Sequence, residues 1–86
     1  MTYEILISTT FKKQLTKLED ELKGRVKKAL KKLGEDPYKS RSSVDIKKLA
    51  GTDPTKYRLR VGDYRVFYTI EEENEVIKVI EGFRRG

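Results

Sequence analysis

Apolar residues recur along this chain with two different periods. In "TYEILIS", residues 2–8, they alternate: Tyr3, Ile5 and Ile7 fall on one face, Glu4 and Leu6 on the other. A period of two is that of a β-strand. From Phe11 the spacing lengthens. Phe11, Leu15, Leu18, Leu22, Val26, Ala29, Leu30 and Leu33 draw one apolar stripe at helical spacing. As one straight rod, residues 10–34 would reach ~37 Å, whereas a folded chain of this length is roughly 30 Å across. The stripe must therefore fold back. Gly24, the poorest helix former nearby, marks "EDELKG" (19–24) as the corner and predicts helices over 10–19 and 22–34. Ser8, Thr9 or Thr10 can cap the first helix. Gly34 and Pro37 stop the second.

Residues 35–55 are rich in Ser, Asp, Pro and Lys and read as a loop, with Val44, Ile46 and Leu49 as its anchors to the core. The period of two then returns in "KYRLRV" (56–61), "YRVFYTIE" (64–71) and "EVIKVIE" (75–81). Gly62-Asp63 between the first two is a two-residue hairpin connection. The order is β-α-α-β-β-β. Strands grouped after helices imply an α+β fold: an antiparallel sheet with a helical hairpin packed on one face.

Composition narrows the class. Eighty-six residues fit one domain, 1–86, with no room for a second core. There is no Cys and no His, which removes disulfides, thiolate metal sites, a cysteine nucleophile and the usual neutral-pH proton shuttle. No basic leader precedes the first apolar stretch, and no run approaches the ~20 apolar residues of a membrane span. A cytoplasmic protein without a membrane or small-molecule cofactor is expected. The net charge of +6 suits a polyanionic partner or serves solubility alone.

The hairpin sharpens the charge question. With Gly62-Asp63 as its turn, Val61 faces Tyr64, Arg60 faces Arg65, Leu59 faces Val66 and Arg58 faces Phe67. Tyr57, Leu59, Val61, Tyr64, Val66, Tyr68 and Ile70 then share the apolar face under the helices. Arg58, Arg60, Arg65, Phe67 and Thr69 share the other. Like charges opposed across strands are destabilising. Two readings fit: a solvated sheet face relieved by Glu81, or an anion site in which guanidinium forks grip phosphate or carboxylate and Phe67 offers a stacking surface. A second cluster, Lys23, Arg25, Lys27, Lys28, Lys31 and Lys32, surrounds the stripe of the second helix. It either solvates that helix or contacts a nucleic-acid backbone.

The segment "KLAGTDPTKYRLRVGDYRVFYTI" resembles the central signature of the RelE/ParE toxin superfamily, a Leu-x-Gly loop leading into Tyr-Arg-x-Arg-x-Gly-x-Tyr-Arg-x-x-Tyr. Leu49 and Gly51 match the loop; Tyr57, Arg58, Arg60, Gly62, Tyr64, Arg65 and Tyr68 match the strands. The first strand, "FKKQLTKL" and the closing "VIKVIEGFRRG" fit as well, so the resemblance spans nearly the whole chain. It implies a toxin of a type II toxin–antitoxin system, held inactive by a RelB-type antitoxin. In the RelE branch such a toxin enters the ribosome and cleaves mRNA without metal or cofactor. On that resemblance Arg65 is the catalytic arginine, and Arg84 or Arg85 is a second at the end of the last strand. Arg58 and Arg60 lie along the mRNA, and Lys27, Lys28, Lys31 and Lys32 meet ribosomal RNA.

The chemistry asks for these residue types. A ribose 2′-hydroxyl attacks its own 3′-phosphate and expels the next 5′-oxygen, and the charge that develops on the phosphoryl oxygens is stabilised by clustered guanidinium groups. One part of the pattern is missing. RNA-cleaving members carry a Tyr or His after the last strand for proton transfer, and "GFRRG" has neither. Arginine holds its proton at any usable pH. Glu81 is the nearby titratable group, either a base or an ion-pair partner of Arg65 or Arg85. Two alternatives remain: a ParE-type gyrase inhibitor, which needs no base, or a catalytically weak RelE relative that acts by binding.

Overall fold

The computed structural model describes residues 2–42 and 44–85. Seven elements succeed one another: β1 (Glu4–Ile7), α1 (Thr9–Thr16), α2 (Asp20–Leu33), β2 (Asp45–Lys48), β3 (Tyr57–Val61), β4 (Tyr64–Glu71) and β5 (Val76–Arg84). The strands form one sheet in the order β1-β5-β4-β3-β2. All neighbours are antiparallel except β1 and β5, which run parallel. The α+β architecture is thus the expected one with a further strand and one parallel pair.

Each helix begins where a side chain or charge favours it. The Ser8 hydroxyl accepts from the Phe11 amide at 3.0 Å and caps α1. The chain turns at Lys17–Glu19 rather than at Gly24. Asp20 and Glu21 lie in the first turn of α2 and Lys31 and Lys32 in its last, the charge order that complements a helix dipole. Gly24 is inside α2, where a Cβ would meet nothing within 4 Å. In the helix interior glycine weakens the helix by ~1 kcal/mol relative to alanine, and buried Leu22 and Val26 on either side outweigh that.

The core lies between the helices and one face of the sheet. Phe11 and Leu15 of α1 and Leu22, Val26, Ala29, Leu30 and Leu33 of α2 meet Leu59, Val61, Tyr64, Val66, Tyr68, Ile77 and Val79. Tyr57 and Ile70 pack at its edge, so every residue assigned to the apolar face of the hairpin is found there. Val44 is buried and Ile46 packs against the core. The segment they anchor is not all loop: Asp45–Lys48 pairs with β3. Its sequence, Asp-Ile-Lys-Lys, has little strand propensity, and the open edge of β3 makes it a strand.

A bulge in β5 decides which of its side chains reach each face of the sheet. Phe67 pairs with Glu81 but the next residue, Tyr68, pairs with Val79, so Ile80 is extra. Strict alternation from Ile77 and Val79 would carry Glu81 and Phe83 to the helix side. The bulge reverses them. Two side chains of the α1 region satisfy the backbone there: the Ser8 hydroxyl donates to the Ile80 carbonyl, and the Gln14 Oε1 accepts from the Gly82 amide at 2.7 Å.

Candidate functional site

The face without helices carries two rows of side chains that run across four strands. In one, Asp45, Arg60, Arg65 and Phe83 are successive cross-strand partners; in the next, Lys47, Arg58, Phe67 and Glu81. Arg65 therefore stands on a central strand between Arg60 and Phe83. Among the described residues the Arg65 side chain has no hydrogen bond or ion pair. Among the described residues Arg60 bonds only a backbone oxygen, its Nε donating to the Gly62 carbonyl at 3.2 Å. Phe83 is half exposed, and its ring lies 5.9 Å from that of Phe67 at an interplanar angle of 60°. The pair makes an aromatic floor beside two cations.

Arg58 is in a different state. Its side chain is only 17% exposed, and its Nη2 donates to Asp45 Oδ1 at 3.2 Å. Its Nε is buried without a partner among the described residues. Asp45, although opposite Arg60 in register, thus spends its carboxylate on Arg58. Glu81 is half-buried in the second row and forms no ion pair with Arg65 or Arg85 among the described residues.

The bulge separates the two terminal arginines. Arg84 pairs with Tyr64 on the helix side. Its guanidinium bridges Glu19 at 2.5 Å, in the turn between the helices, and Asp63 at 3.5 Å, in the β3–β4 turn. The hydrogen bond to Glu19 holds the Arg84 pKa above its usual value and that of Glu19 below the usual carboxylate range. The Arg85 amide donates to the Asp63 carbonyl at 2.7 Å, so pairing continues one residue past β5. Arg85 is exposed, and strand alternation carried past Arg84 would set it on the Arg65 side. The tyrosines of the hairpin face the other way. Tyr68 is fully buried with its hydroxyl on the Pro37 carbonyl, and Tyr64 is buried against Gly82. Burial raises both pKa values.

The lysines of α2 are split between two clefts. Lys28 and Lys32 line a groove of about 520 Å³ with Arg25 and Arg60, along the edge formed by β2 and β3. Lys27 lies on the opposite flank, with Lys12 and Lys23, over the apolar cleft of Ile5, Leu6, Ile7 and Leu15. Lys31 is exposed between them. Arg25 belongs to no motif; its signal in the sequence is its place three residues before Lys28 on one helix face.

Residues 5–81 match the family model of the ParE toxin of the type II toxin–antitoxin system parDE. The chain belongs to the RelE/ParE toxin family. It is a type II toxin–antitoxin toxin by that membership. The toxin in the archaeal RelE–RelB complex of Pyrococcus horikoshii is 34% identical, with a TM-score of 0.86 over 100% of this chain and 98% of that one. The isolated Escherichia coli RelE toxin superposes with a TM-score of 0.81 at 24% identity, covering 98% of this chain and 85% of that one. The Mycobacterium tuberculosis RelBE2 toxin–antitoxin complex also gives 0.81, at 23% identity, over 99% of this chain and 100% of that one. Those last two likenesses concern the fold. No curated protein matches the sequence. No helix among the described residues is long and apolar enough to cross a membrane.

Proposed function

We propose that this toxin is a ribosome-dependent, metal-independent mRNA endonuclease of the RelE type. The observation that carries the reading is the Arg60–Arg65 pair, opposed on adjacent strands with no carboxylate on either guanidinium among the described residues. An unliganded surface would gain from relieving it; a phosphate between the two supplies the missing charge. Arg65 and Arg85 then hold the non-bridging oxygens as charge builds on them. Arg60 holds the same phosphate from the adjacent strand, and the Phe67–Phe83 floor takes an unstacked base. The 2′-hydroxyl attacks the phosphorus, the bond to the next nucleotide's 5′-oxygen breaks to leave a 2′,3′-cyclic phosphate, and water or a ribosomal group takes the 2′ proton and protonates the leaving oxygen; RNA is therefore cut and DNA is not. Arg58, already paired to Asp45, orders the row at the edge of the path, and Arg84 fixes the strand that presents Arg85. Lys27, Lys28, Lys31 and Lys32 meet ribosomal RNA. A RelB-type antitoxin is the partner that neutralises the toxin, as the archaeal relative's complex suggests.

The test is translation of a defined message with and without the protein, followed by mapping of 5′ ends. New ends within the codon at the ribosomal A site are expected. Full translation with no new ends would sink the reading. A second function is favoured by a specific feature: the Tyr64 and Tyr68 hydroxyls are turned away from the arginine face, and the sequence contains no His. A ParE-type gyrase inhibitor needs no proton-transfer group. Inhibition of gyrase supercoiling at micromolar protein, without mRNA cleavage, would select it.

A further inference from the structure

We propose that the open edge of β1 pairs with β1 of a second copy of this chain, antiparallel about a two-fold axis at Leu6. The two five-stranded sheets then become one. Arg60 and Arg65 lie on other strands and take no part.

The two edges of the sheet are unlike. β2 carries Asp45, Lys47 and Lys48 among its four residues, and charges on an edge deter pairing with another chain. β1 has Glu4 and then Ile5, Leu6 and Ile7, in unbroken register with β5 and without Lys or Pro. Leu6 is 45% exposed and Ile7 44%. Consecutive strand residues point to opposite faces, so apolar surface is open on both sides of this edge. On the helix side it runs into a cleft of about 550 Å³ floored by Ile5, Ile7 and Leu15. Among the described residues no strand covers it.

Backbone direction sets the register. The Glu4 amide donates to the Glu75 carbonyl at 2.9 Å, and the Ser8 amide to the Val79 carbonyl at 3.0 Å. Glu4, Leu6 and Ser8 thus turn their backbone groups to β5, and Ile5 and Ile7 turn theirs to the open edge. Residues of that kind exchange hydrogen bonds in pairs across antiparallel strands. Setting Ile5 against Ile7 of the second copy, and the reverse, satisfies all of them. Leu6 then meets its own counterpart in a non-hydrogen-bonded pair, where side chains approach most closely.

Charge favours a second copy over an unrelated strand. Glu4, Glu35 and Glu75 gather at the start of β1, because Glu75 bonds Glu4 and the Gly34 carbonyl accepts from the Tyr3 amide at 2.7 Å. α2 therefore ends beside the start of β1, and Lys23, near its beginning, lies toward the end of β1. Lys12 joins it there on the cleft rim. None of these five side chains is ion-paired among the described residues. Antiparallel pairing sets each acidic end beside the basic end of the other copy, twice over. The interface is isologous, as two-fold symmetry requires. Four-residue strands make it small, so the dimer is weak and concentration-dependent.

The test is sedimentation equilibrium of the full chain from low micromolar to submillimolar protein, with two variants at Leu6. The wild type should pass from monomer to dimer. Leu6→Glu sets a carboxylate beside Lys78, its register partner on β5, which suits the fold; across the axis it opposes two carboxylates. The dissociation constant should rise at least about tenfold, and thermal melts check folding. The sequence has no Cys, so introduced thiols report the register. Leu6→Cys places Cα atoms about 4.5 Å apart across the axis, within disulfide reach, and should give a covalent dimer under diamide. Glu4→Cys, about 14 Å from its counterpart in this register, should not. A monomeric wild type would leave the edge to a strand of another protein and overturn self-pairing. So would Leu6→Glu dimerising as the wild type does, or Glu4→Cys cross-linking as readily as Leu6→Cys.

Discussion

At the scale of single residues, the arginines that sequence places together have different tasks. Among the described residues Arg65 and Arg60 face each other without a counter-ion, Arg58 is ion-paired and largely covered, and Arg84 is bound by two carboxylates. Arg65→Ala should lower mRNA cleavage by about 100- to 1,000-fold, the usual effect of removing one oxyanion-stabilising donor. Its thermal stability should hold or rise, because a directly opposed like charge is relieved. Arg85→Ala should act in the same direction. Arg84→Ala should keep more activity than Arg85→Ala and lose more stability. Single-turnover cleavage beside thermal melts reads all three, and equal loss of activity in Arg84→Ala and Arg85→Ala would refute the division.

At the scale of elements, the β5 bulge organises the site. It carries Glu81 and Phe83 to the arginine face and Arg84 to the helix face, and Ser8 and Gln14 hold it. Gln14→Ala leaves the part-buried Gly82 amide without its acceptor, which should lower stability by about 1–3 kcal/mol. Gly82 is a point of close packing. A Cβ there would stand 2.5 Å from the Tyr64 hydroxyl and 2.7 Å from its ring. Because Tyr64 is buried, Gly82→Ala should lower stability by about 1–3 kcal/mol through overpacking. Urea denaturation measures both; wild-type stability in either variant would show that the bulge relaxes freely. The bulge is illegible in "VIKVIEGFRRG" because alternation by itself gives no sign of an inserted residue.

At the scale of the whole molecule, a three-way contact closes the end of the sheet remote from the arginines. Glu72, in the β4–β5 turn, accepts from the Tyr3 hydroxyl at 2.8 and 3.0 Å and from the Tyr38 hydroxyl. Tyr38 packs edge-on against Tyr57, which stacks on Tyr68. The chain entry before β1, the long connection after α2 and a hairpin turn are thereby joined. The hydrogen bonds from Tyr38 and Tyr3 hold the Glu72 carboxyl below its usual range. A depressed carboxylate stabilises the fold above its unfolded pKa of ~4.3, and that contribution is lost as pH falls through the lower folded value. The wild type should therefore melt above Glu72→Gln at pH 7, and the gap should shrink as the pH drops below about 4. A gap that stays constant across that range would reject the linkage.

Much of this protein is determined by sequence alone, and for local reasons. Period-two and period-three-to-four spacing locates β1, both helices and β3–β5, because each element must turn its apolar side to the one core. Gly62-Asp63 determines the hairpin register, because a two-residue turn leaves no freedom to slip. From those two facts Arg58, Arg60 and Arg65 must share a face. Tertiary structure decided what has no local cause. The helix corner moved from Gly24 to Lys17–Glu19 because packing of Leu22 and Val26 outweighs glycine's weak propensity. Asp45–Lys48 became a strand because β3 offered an edge. The bulge set Arg84 on the helix side, and the turn of α2 brought Arg25 and Lys28 beside Arg60. Each of these depends on a contact between residues far apart in the chain, which periodicity cannot carry.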